Sequence, residues 1–151
     1  MKEAKGAAVI GFAAALLLGY VLWERALSPE ARVRRSLEEA AAAAKSADLE
    51  AFVSFFSSDY SDFMHPERAA FERSLQESFH RVDRMNVTLD SMEIEVQGSE
   101  ARASFGAVVV AIRGEERRVV VGRPFEPERF RADLRREDEG WKIRRVELLS
   151  P

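Results

Sequence analysis

The chain changes its hydrophobic period once, near Val87, and no other feature of the sequence constrains its fold as much. Before that point apolar residues recur every three or four positions, the spacing that lines one face of an α-helix. Val33, Leu37, Ala40, Ala41 and Ala44 make one such face, and Leu49, Phe52, Val53 and Phe56 a second. Phe71, Leu75, Phe79 and Val82 make a third. After Val87 the period is two, as in strands that bury one side. Three helices followed by a block of antiparallel strands pack as layers, an α+β architecture.

Local signals place the elements. Ser28-Pro29-Glu30 supplies an N-cap, a first-turn proline and an acid matched to the helix dipole. Asp48 caps the second, short helix, and His65-Pro66-Glu67 opens the third. The polar stretch between them, residues 57–66, has room for a short strand over residues 60–64. Among the strands, Val87 and Leu89 alternate in one phase and Met92, Ile94 and Val96 in the other. Such a slip marks a β-bulge near Asp90-Ser91. The last strand slips too, from Trp141 and Ile143 to Val146 and Leu148, placing a second bulge near Arg144-Arg145. The strand from Ala101 to Ile112 is apolar on both faces and is expected at the centre. The two bulges should curl a sheet of four to five strands into a cone around the first helix.

Ahead of this domain, eighteen residues from Gly6 to Trp23 carry no charge. As a helix with a rise of ~1.5 Å per residue they reach about 27 Å, close to the roughly 30 Å of a bilayer core. A cleaved export signal is the competing reading, with Ala26-Leu27-Ser28 as its cleavage site. Pro29 would then follow the scissile bond, where its fixed φ and missing N–H suit a protease cleft poorly. The expected organisation is a short basic tail at 1–5, a transmembrane helix at 6–23, a linker at 24–30 and one domain at 31–151. The flanking charges and the form of the N-terminus point to opposite orientations. Arg25, Arg32, Arg34 and Arg35 outnumber Lys2 and Lys5, which by the positive-inside rule puts the domain in the cytoplasm. A short basic tail before one early anchor has the form of an export signal-anchor, and a periplasmic or extracytoplasmic domain is the expectation. Ala7, Gly11, Ala15 and Gly19 fall on one helix face and offer a close-packing surface for a homodimer.

Composition excludes several classes. A net charge of −3 with acids and arginines interleaved leaves no basic face for nucleic acid. The absence of cysteine excludes disulfides and a lipid-modified N-terminal Cys. The two histidines, His65 and His80, are far apart in sequence and make no metal constellation, and no Gly-rich phosphate loop is present. No metal and no cofactor is expected.

Asp48-Leu49 at the start of the second helix, Asp59-Tyr60-Ser61-Asp62 after it and Asp138-Glu139-Gly140-Trp141-Lys142-Ile143 at the final strand resemble the nuclear transport factor 2-like (cystatin-like, SnoaL-like) superfamily over residues 31–149. The resemblance implies the cone-shaped α+β fold and leaves function open. Among the superfamily's enzymes, ketosteroid isomerases use a tyrosine in the first helix and a carboxylate base before the third. The tyrosine position here is Ala40 and the base position falls on Met64, two residues from Asp62. The catalytic candidates are Asp62 and His65, which would share acid–base work if they converge. A ligand pocket in the cone would use Tyr60, Asp62 and Trp141, although Trp141 in such a sheet is also a natural core plug. The favoured reading is a non-catalytic, membrane-tethered binding or assembly module of the cell envelope. In its architecture it resembles inner-membrane components of type IV secretion systems, with a protein of an envelope complex as partner. The alternative is a small-molecule binder or acid–base enzyme with an apolar cone pocket.

Overall fold

The computed structural model describes residues 2–149, and the side chains of residues 11–23 and 26–149 within them. Among the described residues the chain forms helices α1 (Lys2–Ala26), α2 (Pro29–Lys45), α3 (Leu49–Val53) and α4 (Arg68–His80). Strands β1 (Arg84–Gln97), β2 (Glu100–Arg113), β3 (Glu116–Val121), β4 (Glu128–Glu137) and β5 (Gly140–Leu148) follow, all antiparallel. The α+β expectation holds, with α2, α3 and α4 as the three helices of the domain.

The caps act where the sequence puts them. Ser28 Oγ accepts from the Ala31 N–H at 3.1 Å, and Asp48 Oδ1 from that of Ala51 at 3.1 Å. Each satisfies a donor that a helix start otherwise leaves unpaired. α4 begins later than expected, at Arg68 with Glu67 as an N-cap that makes no side-chain bond. His65 is held instead by the preceding loop. Residues 60–64 form no strand; they belong to that loop.

β2 is the spine of the sheet. One of its edges pairs with β1 along its full length, and the other is shared end to end by β4 on Glu100–Ala107 and β3 on Val109–Arg113. Register shifts occur where both phase slips predicted them. In β1 the shift lies between Asp90 and Glu93, with Ser91 at φ 48°. In β5 Asp133 pairs with Arg145 but Leu134 with Ile143, so Arg144 is the extra residue. A further shift leaves Val120 unpaired between Val119 and Val121. Arg34 Nη2 donates to the Met92 carbonyl at 3.2 Å, satisfying the β1 bulge from α2. Opposite that bulge, the Asp90 side chain lies so close to Gly106 that a methyl group there would collide with its carboxylate.

The core fills the space between α2 and the concave face of the sheet. Val33 and Leu37 from α2 meet Ala101, Ala103, Ala132, Leu134, Trp141 and Ile143 from the strands and Phe56, Tyr60 and Phe71 from the helical side. The small residues of β2 and β4 admit the aromatic rings. Trp141 is 5% exposed.

α1 is one continuous helix through the expected basic tail and into the expected linker, so Leu27 and Ser28 are the joint to α2. Its large side chains Phe12, Leu16, Leu17, Leu18, Leu22 and Trp23 are exposed, Phe12 to 68%. Among the described residues no helix is long and apolar enough to cross a membrane. Residues 11–23 are the part of the expected span whose side chains are described. The remainder of the expected span, residues 6–10, has side chains outside the described residues, as do Ala7 of the small-residue face and Lys2 and Lys5 of the tail. The transmembrane expectation is thus not upheld by the described structure.

Candidate functional site

The loop between α3 and α4 carries the candidate residues, and β5 fixes its path. The Ser57 N–H donates to the Ile143 carbonyl at 2.8 Å and the Ile143 N–H to that of Phe55 at 2.8 Å, making a parallel bridge. Farther along, the Ser61 N–H reaches the Arg144 carbonyl at 3.2 Å. The loop is therefore laid along the sheet where β5 bulges.

Asp62 organises the distal half of this loop. Its Oδ1 accepts the Met64 N–H at 2.8 Å and the His65 N–H at 2.7 Å, and its own N–H donates to the His65 carbonyl at 2.9 Å. An aspartate that hydrogen-bonds the backbone two and three residues ahead closes a turn on itself. The His65 ring joins, Nδ1 lying 3.0 Å from Oδ1 and 3.1 Å from Oδ2. The buried Tyr60 hydroxyl donates to Oδ2 at 2.7 Å. The Tyr60 ring packs on Phe56 and Phe71, with centroids at 5.0 and 4.3 Å.

The electrostatics follow from this geometry. Partial burial works to raise the Asp62 pKa, but the hydrogen bonds from Tyr60 and His65 outweigh it and hold the carboxyl below its ordinary 3.8. Burial and the neighbouring carboxylate both push the Tyr60 hydroxyl above its ordinary 10.0. Asp62 is thus a charged acceptor with both oxygens engaged, and Tyr60 a committed donor. Neither is poised to exchange a proton near neutrality. The Asp62 carboxylate orients the His65 ring through Nδ1.

Tyr60, Asp62 and His65 are therefore brought together, whereas Trp141 stands apart. It pairs with Arg136 beside the β4–β5 turn, and its ring is buried in the core rather than offered to a ligand. Ala40 faces the core and Met64 is exposed. Three clefts are described, and neither Tyr60 nor Asp62 lines any of them. One lies across β1, β2 and β4, one between α2 and β1, and one at the joint of α1 and α2.

A second cluster was not foreseen in the sequence. Ser57, 1% exposed, has its Oγ 2.7 Å from Asp59 Oδ1, 2.7 Å from Glu137 Oε2 and 2.9 Å from Arg135 Nη2. One hydroxyl proton serves one carboxylate at a time, so the Arg135 guanidinium, 3.1 Å from each acid, holds the pair together. Hydrogen bonds from Ser57 first and Arg135 next lower the pKa of both Asp59 and Glu137. Arg68 closes the ring below, donating to the Phe56 carbonyl at 2.7 Å and to that of Ser57. The sequence signal for this cluster was a Ser-Ser-Asp loop opposite an Arg-Arg-Glu strand end, indistinguishable from solvated charge without the pairing register. Among the described residues no group of three or more acidic or histidine side chains could hold a metal ion.

Solved structures share this fold. A candidate scytalone dehydratase from Novosphingobium aromaticivorans superposes with a TM-score of 0.67 at 15% identity, over 80% of this chain and 82% of that one. An NTF2-like protein with a cystatin-like fold from the same organism gives 0.61 at 22% identity, over 91% and 86%. A Catenulispora acidiphila protein in complex with S-DNPA gives 0.62 at 20% identity, over 78% and 90%. At such identities the likeness establishes the cystatin-like fold and nothing about chemistry. No curated protein matches the sequence. The model of the SnoaL-like domain matches residues 25–147, and the chain belongs to that family.

Proposed function

We propose that the chain is a non-catalytic SnoaL-like binding or assembly module, held at a membrane of the cell envelope by its N-terminal helix with the domain on the extracytoplasmic side. The observation that carries this reading is α1, whose large apolar side chains project from the domain with over half their surface exposed at Phe12, Leu16, Leu17, Leu18, Leu22 and Trp23. A helix that is apolar all round belongs in a core or a bilayer, and this one lies in no core. Residues 6–10 continue the same uncharged run in the sequence. The saturated Asp62 and the buried Tyr60 weigh against catalysis. In the test, the full-length protein is fractionated and its membranes are washed with carbonate. Retention in the pellet supports the reading, and a soluble full-length protein overturns it.

The Asp62–His65 pair favours a second reading, an acid–base enzyme with His65 as the proton-transfer group, in the manner suggested by relatives named for enzymes. If Asp62→Asn removes the cellular phenotype while the domain stays folded and membrane-bound, this second reading replaces the first.

A further inference from the structure

The connection between β3 and β4 holds an aromatic side chain out in solvent. Arg123 and Glu126 exchange both backbone hydrogen bonds, each N–H reaching the other's carbonyl at 3.0 Å. Pro124 and Phe125 are therefore the two central residues of a tight turn. Phe125 sits there at φ 68°, a conformation that turns ordinarily give to glycine. A bulky residue adopts it only against strain. Its ring is 99% exposed, so no contact within the domain offsets that strain. On the same part of the domain, α2 and β1 leave a cleft of about 300 Å³. Glu38, Ala41 and Lys45, on one face of α2, line it together with Val87, Leu89 and Met92 of β1. The small Ala41 leaves room for a larger side chain, and the volume lies at the low end for ligand clefts. Ring and cleft both border the β1 bulge, since Asp90 lines the cleft and crowds Gly106 together with Pro127.

We propose that Phe125 of one chain seats in the α2–β1 cleft of a second copy of this chain. The proposal rests on the assembly half of the function proposed above and not on the membrane half. Charge selects a second copy as the occupant. Arg123 and Glu126 flank the ring, 82% and 73% exposed, and touch each other only at 3.7 Å. An ion pair so long and so open to solvent is worth little and exchanges readily. In the cleft, Glu38 and Lys45 stand on either side of Ala41 and enter no ion pair among the described residues. Glu126 then meets Lys45 and Arg123 meets Glu38, opposite signs on both sides of the ring. The ring itself supplies the binding energy, as a buried aromatic anchor does at an interface. Each copy carries both ring and cleft on neighbouring surfaces, so two copies can exchange rings reciprocally about a two-fold axis.

In the test, the full-length protein carries photo-reactive p-benzoylphenylalanine in place of Phe125, which keeps an aromatic ring on the turn. Irradiation should give a species of twice the chain mass, with the crosslink mapped by mass spectrometry to residues 38–45 or 87–92. A product with another protein alone, or a crosslink elsewhere in the chain, overturns the second copy as partner while the assembly reading stands. A chain that stays uncrosslinked at every concentration overturns the proposal as well. Phe125→Gly relieves the backbone and removes the ring. It should weaken self-association about thirtyfold in sedimentation, the scale of an aromatic hot spot, with the circular dichroism spectrum unchanged. Undiminished association in Phe125→Gly overturns the proposal, since α1 alone then accounts for it. Phe63→Ser removes an equally exposed ring from the α3–α4 loop and should change nothing; equal losses in the two variants overturn the proposal. Lys45→Glu and Glu126→Lys should each weaken association, and both together in one chain should restore it. A double variant as weak as the single ones overturns the assigned pairing and the proposal with it. Asp62→Asn tests the assembly reading on a different residue, so the two claims fail separately.

Discussion

Asp62 and Asp59 stand three residues apart on one loop, yet Asp62 finds its partners within three residues whereas Asp59 reaches Arg135, 76 positions along the chain. Through the Ser57 hydroxyl, which donates to one carboxylate at a time, Asp59 is also linked to Glu137, 80 positions from that serine. The first arrangement shapes the loop and the second ties it to the sheet. A turn closed by its own aspartate forms whenever the local backbone does. A serine flanked by two carboxylates and a guanidinium holds only when β4 is already in place. The two clusters therefore report different events, loop closure and docking of that loop on the sheet. Both lower carboxyl pKa values, so both strengthen the fold in the same direction of pH.

The largest effect should come from the core that backs both clusters. Trp141→Ala is expected to destabilise the domain by about 3–5 kcal/mol in urea unfolding, the usual large-to-small penalty. A loss below about 1 kcal/mol would place the ring outside the core and return it to the ligand-binding set. Next in size, Asp62→Ala strands the buried Tyr60 hydroxyl and should cost about 1–3 kcal/mol. The double change Asp62→Ala with Tyr60→Phe should recover part of that loss, because an absent donor needs no acceptor. Additive losses in this cycle would show that the two groups are not coupled. Ser57→Ala should cost about 1 kcal/mol, and its cycle with Asp62→Ala should be additive if loop closure and docking are separate events. Strong coupling there would erase the distinction between the clusters.

The pH profile gives the finest discrimination. Asp59, Asp62 and Glu137 have folded pKa values below their ordinary 3.8 and 4.5. The unfolded chain thus binds more protons on the acid side, and their stabilisation is complete above those ordinary values and fades as pH falls through the folded ones. Tyr60 works in the opposite sense. Its folded pKa lies above the ordinary 10.0, so its stabilisation is present below pH 10 and fades as pH rises beyond it. Asp62→Asn should flatten the acid limb of a stability–pH curve, and Tyr60→Phe the alkaline limb. Wild-type curves for both variants would remove the Tyr60–Asp62 bond from the account.

What the sequence disclosed depended on whether the signal was periodic or local. The bulges of β1 and β5 were legible because alternating apolar residues change phase across them. The shift at Val120 was not, because Val119, Val120 and Val121 are alike and an unvaried run carries no phase. Asp48 and Ser28 were legible as caps, since capping acts within three residues. Residues 60–64 had room for a short strand, but the Asp62 carboxylate captures the nearby N–H groups and bends the chain instead. At the site, Tyr60, Asp62 and His65 could be nominated by type and nearness. The joining of Ser57 and Asp59 with Arg135 and Glu137 could not, because it depends on how the loop lies along β5 and β5 along β4.

If α1 tethers the domain as proposed, the two-residue joint at Leu27 and Ser28 gives it a role in direction as well as attachment. A helix turns about 100° and rises about 1.5 Å per residue, so the phase of α1 sets which way the domain faces around the helix axis. One residue inserted before Ala26 would swing the domain through about 100°, while seven would return it to within about 20° at roughly 10 Å greater height. In an insertion series, crosslinking to a neighbour that the domain faces should rise and fall with the helical period. A tether that merely confines the domain would give a smooth decline. The fold thus carries its compass bearing in the residue count of its first helix.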